Sequence, residues 1–139
     1  VSHQPATIAV WNDETERWDF GFVEINGTLD KAGAILKDHY SNLDTLRALI
    51  ALKHVYLLTE NVARTLAVED NIHLFATHRE RQWSAKWLGT IMNHRLRGRL
   101  LYIFRPETGW TVVQKPDIPY ILVEITITDE LIDLNRKAF

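Results

Sequence analysis

The sequence predicts a single α+β domain in which a mixed, mostly antiparallel sheet with two β-hairpins is packed by about five helices. Three observations predict it. Stretches with strand alternation and stretches with helical spacing follow one another without the strict βαβ repeat that builds a parallel sheet. Two pairs of strands are joined by short polar or Pro-and-Gly turns, which forces antiparallel pairing. A length of 139 residues, 46% of them hydrophobic, suits one core, and no repeat or long linker divides the chain, so residues 1–139 read as one domain.

In chain order, "TIAVW" (7–11) and "RWDFGFV" (17–23) form the first hairpin. Ile8 and Val10 fall on one side, as do Trp18, Phe20 and Phe22, and the acidic "NDETE" makes the tip. Asn26–Gly27 ends the second strand. Thr28 then caps a helix in which Leu29, Ala32, Ile35, Leu36 and Tyr40 recur at helical spacing. Ser41 or Asn42 caps a second helix with Leu43, Leu46, Leu49 and Ile50 on one face. "HVYLL" (54–58) reads as a strand, Thr59 caps a short helix to Ala67, and "IHLFA" (72–76) is another strand.

A helix from about Thr77 to Leu96, closed by Gly98, is predicted next. Its ridge is Trp83, Trp87 and Ile91, four apart, with Leu88 and Met92 beside it. Residues 100–104 and 110–114 flank "RPETG" as the second hairpin, and "KPDIP" is a stiff connector. "YILVEITI" (120–127) reads as a central strand. Thr128, the acidic Asp129 and Glu130 and the basic Arg136 and Lys137 mark a terminal helix suited to its dipole. The resulting order is ββααβαβαβββα.

Composition narrows the function. The net charge is −2, but residues 78–99 hold six cations against Glu80 alone, a net of +5, so the remainder carries −7. The candidate anion-binding set is Arg79, Lys86, Arg95, Arg97 and Arg99, with Arg81 and His78 at its edge. Such a set could neutralise phosphates of a nucleic acid or pair with an acidic protein surface. A solvated helix face explains the same residues without a ligand, because cations in a last turn are favoured by the helix dipole. The indoles at helical spacing read as core before they read as stacking platforms.

Zero cysteines exclude disulfides and zinc–cysteine sites and fit a cytoplasmic location. The longest apolar runs are far shorter than the roughly 20 residues of a membrane-spanning helix, and no secretory signal is visible. The six histidines include no i, i+4 pair, so neither a metal nor a cofactor is expected. No phosphate-binding loop, dinucleotide fingerprint or nucleophile elbow is present. His78, His94 and Glu80 remain as acid–base candidates for an enzyme reading, with the arginines clamping phosphate. The acidic tip, Asp13, Glu14 and Glu16, offers a third reading as a protein-interaction surface, and opposite patches on one small protein make self-association an expectation.

The segment "INGTLDKAGAILKDHYSNLDTLRALIAL", through Gly27, Gly33, Leu36, His39, Tyr40, Leu49, Ile50 and Leu52, resembles a group of small phage and mobile-element proteins of unknown function. "ATHRER" (76–81) and "YIFRPETGWTV" (102–112) follow in the group's order. The chain departs from the pattern at Lys53, where the group has glycine, and in "HVYLL". The resemblance implies a phage or mobile-element accessory protein and no particular chemistry. The leading expectation is therefore a non-enzymatic binding protein that engages a host macromolecule through its basic face.

Overall fold

The first turn sets the course of the first hairpin. The "NDETE" tip closes because Asn12 Oδ1 accepts from the backbone N–H groups of Glu14 and Thr15, while Glu16 takes a left-handed φ of 54°. The hairpin it closes pairs β1 (Ala6–Asn12) with β2 (Arg17–Val23), in register from Ala6 opposite Val23 to Asn12 opposite Arg17. A computed structural model describes residues 3–68, 71, 83–115 and 123–137.

Past β2, a π-helical turn (Leu29–Gly33) runs into α1 (Ala34–His39), followed by α2 (Leu43–Ile50), β3 (His54–Val55) and α3 (Val62–Ala67). Next come β4 (Ser84–Ala85), α4 (Leu88–Thr90) and a second π-helical turn (Ile91–Arg95). The second hairpin is β5 (Leu100–Arg105) with β6 (Gly109–Gln114), and β7 (Ile125–Thr126) and α5 (Asp129–Lys137) complete the order. Among the described residues the elements run ββααβαβαβββα, an α+β arrangement as the sequence predicts, although the fourth strand is Ser84–Ala85 and the strand expected at 72–76 lies outside the described residues.

The seven strands among the described residues join one sheet in the order β3-β2-β1-β5-β6-β7, with β4 on the outer edge of β2 beside β3. The β1–β5 and β2–β3 pairings are parallel and the others antiparallel. β1 and β5 are therefore central and are buried on both faces. On one face Ile8, Val10, Val23, Tyr102, Phe104 and Trp110 meet Leu36, Tyr40, Leu46 and Leu49 from the helices. On the other, Ala9, Phe20, Phe22, Leu101 and Ile103 meet Trp83, Ile91 and Met92.

Three of the buried aromatics have their polar tips satisfied, as burial demands. Tyr102 Oη donates to Gly27 O at 2.7 Å, Tyr40 Oη to Thr59 O at 2.9 Å and Trp110 Nε1 to Tyr40 O at 3.3 Å. Asn71, fully buried, binds the loop before α3 to that helix: its carbonyl accepts from Tyr56 and Leu57 N–H, and its amide donates to Leu57 O and Thr65 O.

Four expectations need correction. The predicted helix from Thr77 is absent over 83–87, where Ser84–Ala85 pairs with β2 and helix begins only at Leu88. The unpaired edge of β2 explains this, because Phe20 N–H finds Trp83 O at 3.1 Å and the chain extends to supply that acceptor. "YILVEITI" is not a central strand in its described part: Ile125–Thr126 pairs only with β6 at the sheet edge, and Val123 and Ile125 are exposed. The central places are already held by β1 and β5.

Capping is the third correction. Asn61, not Thr59, caps α3 by accepting from Arg64 N–H at 2.8 Å, while Thr59 bonds Thr65 instead. Thr28 stands at the N-cap position of the first helical turn but makes no cap bond, whereas Asn42 and Thr128 do cap their helices. Fourth, the strand in "HVYLL" is reduced to His54–Val55. Lys53, just before it, has φ of 70°, a left-handed backbone that glycine holds at less cost. The expected strand at 72–76 and the connector at 116–119 lie outside the described residues.

Candidate nucleic-acid interface

Residues 83–99 form a strap across one face of the sheet. It starts beside the hairpin tip, where Ala85 pairs with Trp18, and finishes at the far end, where Arg97 meets Thr7. Trp83, Ile91 and Met92 fasten it to the core, and all three are buried. Trp83 packs against Phe22 with ring centroids 5.2 Å apart. Nothing acidic occurs between Trp83 and Arg99.

Trp87 departs from the expected core ridge. It sits in extended backbone at the start of α4 (Leu88–Thr90) and is 63% exposed, with Lys86 Nζ 5.3 Å from its ring centroid. The extended turn at 86–87 breaks the four-residue spacing, so the indole leaves the face that Trp83 and Ile91 share.

Arg95, which ends the π-helical turn, and Arg97 and Arg99 beyond it have three different surroundings. The Arg95 guanidinium lies 4.9 Å from the Phe20 centroid. Arg97 is paired with Glu24, Nε to Oε2 at 2.7 Å and Nη2 to Oε1 at 2.5 Å. Its backbone N–H also donates to Thr7 Oγ1 at 2.9 Å, and that hydroxyl returns a bond to Arg97 O at 3.1 Å. Gly98, at φ of 82°, turns the chain, and Arg99 then lines a cleft of about 480 Å³ with Gln4, Thr28 and Asn135. His94 is exposed on the π-helical turn and has no partner among the described residues. His78, Arg79, Glu80 and Arg81 lie outside the described residues.

Glu24 is the residue of this region that the sequence reading missed, together with His54. His54, buried in β3, places Nε2 2.8 Å from Glu24 Oε2, so one carboxylate bridges an imidazole and a guanidinium. The Arg97 hydrogen bonds lower the Glu24 carboxyl below its ordinary range; burial opposes them, and His54 adds to the lowering. Arg97 is raised in turn by Glu24. Thirty residues separate Glu24 from His54 and 73 separate it from Arg97, so no local spacing announces the cluster.

A second carboxylate is also committed. Arg105 Nη2 donates to Glu124 Oε1 at 2.6 Å and Thr111 Oγ1 to Glu124 Oε2 at 2.9 Å. Burial alone would raise Glu124, but those donors outweigh it and the carboxyl sits below its ordinary value. Among the described residues no group of three His, Asp or Glu side chains could hold a metal, and no helix is long and apolar enough to cross a membrane.

These features define an α+β protein with a cationic, acid-free strap over one sheet face. No family model, curated protein or solved structure matches the chain.

Proposed function

We propose that this chain is a non-enzymatic binding protein that engages an anionic macromolecule through the strap at 83–99, with a single-stranded nucleic acid as the class that best uses its surface. The exposed indole of Trp87 beside Lys86 carries the reading. A large aromatic left in solvent next to a cation is the pairing that stacks a base and neutralises its phosphate, whereas duplex DNA offers few free base faces. Lys86 and Arg99 are the exposed cations of the strap without an acidic partner among the described residues; Arg97 serves the fold. The sequence resemblance would place this binding in a phage or mobile-element accessory role directed at a host macromolecule.

The test is fluorescence anisotropy of a labelled single-stranded oligonucleotide over a salt series, with duplex DNA and heparin as competitors. The affinity should fall with salt at a log–log slope of about −1.4 to −2.1, as two or three phosphate contacts on a single strand give. Trp87→Ala should weaken binding by roughly tenfold or more, the loss of one stacked base. No single-strand binding at low salt, or an unchanged affinity in Trp87→Ala, would defeat the reading.

A further inference from the structure

The tips of the two hairpins meet in a cleft of about 310 Å³, lined by Trp11, Asp13, Trp18, Arg105, Pro106 and Glu107. Its aromatic wall is Trp11 edge-on to Trp18, with centroids 5.3 Å apart at 64°. Trp11 Nε1 donates to Asp13 Oδ1 at 2.7 Å, which fixes that carboxylate beside the ring. Glu107, exposed on the opposite tip, has no partner among the described residues.

The cleft contains one cation, Arg105, and its charge is already matched by Glu124 at 2.6 Å. What the walls offer an incoming group is therefore aromatic surface and two uncompensated carboxylates. Arg105 itself shows the mode of recognition, with its guanidinium 5.0 Å from the Trp18 centroid and a carboxylate at its edge. We propose that this cleft receives the guanidinium or ammonium group of a basic peptide side chain, held between the Trp11 ring and the carboxylates of Asp13 and Glu107. The volume suits one long side chain, and the site is independent of the nucleic-acid reading of the strap.

The probe is N-acetyl-argininamide, titrated against the folded protein while the indole N–H resonances are followed by NMR, with the neutral isostere N-acetyl-citrullinamide as control. The arginine derivative should shift the Trp11 and Trp18 indole signals saturably, and the citrulline derivative should not. Glu107→Gln, on an exposed turn where folding is not at stake, should weaken the arginine derivative about threefold, the order of one exposed ion contact. Equal shifts from both compounds, or an unchanged affinity in Glu107→Gln, would overturn the proposal. Sedimentation of the protein alone at low salt separates the sources of the side chain. A second copy supplies it if the mass rises with concentration and Glu107→Gln stays monomeric, and another protein supplies it if the protein alone stays monomeric.

Discussion

Glu24 shows how much one side chain can tie together. It sits one residue beyond β2 (Arg17–Val23), and it holds the buried His54 on one side and Arg97 on the other. Removing the carboxylate leaves a buried imidazole and a guanidinium without their acceptor, so the cost should exceed that of an ordinary surface pair. A double-mutant cycle with Glu24→Gln and Arg97→Met should return a coupling of about 1 kcal/mol in urea unfolding. The pH dependence follows from the lowered Glu24 carboxyl. Its folded value lies below the unfolded one, so the stability it adds is present above the unfolded value and is lost as pH falls through the folded one. The wild type should lose more stability from about pH 5 to about pH 3 than Arg97→Met does, because the variant lacks the principal cause of the shift. Equal acid sensitivity of the two proteins would contradict this account.

At the scale of elements, the hairpins were readable because two-residue alternation and turn chemistry are both local. Helices α1 (Ala34–His39), α2 (Leu43–Ile50) and α5 (Asp129–Lys137) were readable for the same reason, from apolar spacing and, for α2 and α5, from the caps Asn42 and Thr128. The strap was misread because Trp83, Trp87 and Ile91 fall four apart and mimic one helical ridge. A two-residue strand such as Ser84–Ala85 has no period to detect, and its existence depends on the open edge of β2, 63 to 67 residues earlier in the register that sets Trp83 against Phe20 and Ala85 against Trp18. The two tryptophans should now behave oppositely. Trp83→Ala, which empties a site bounded by Phe20 and Phe22, should destabilise by roughly 3–5 kcal/mol. Trp87→Ala should change stability by less than about 0.5 kcal/mol while lowering nucleic-acid affinity. Comparable losses of stability in thermal melts of the two variants would return Trp87 to the core.

For the whole molecule, the strap must return to the sheet so that β5 (Leu100–Arg105) can enter beside β1 (Ala6–Asn12) in parallel register. Gly98 makes the return possible. Its φ is 82°, and a Cβ there would stand 1.9 Å from Pro5 O, a backbone atom that cannot yield. Gly98→Ala should therefore cost about 2 kcal/mol or more and lower the melting temperature by several degrees; a melt within a degree of wild type would refute the close approach. In the sequence Gly98 only marks the end of a helix. Its tertiary task, bringing the strap against the first strand, was invisible because Pro5 lies 93 positions away.

By itself the sequence determined the α+β class, both hairpins and the concentration of cations between residues 78 and 99. Each of these is carried by periodicity, turn residues or charge within a short window. Tertiary structure alone decided which cations are available and which are taken, because Glu24 neutralises Arg97 across the fold while Lys86 stands in solvent beside Trp87. It also decided that the two hairpin tips share one aromatic cleft. Such pairings depend on which distant edges need partners, and a one-dimensional pattern contains no distances between them.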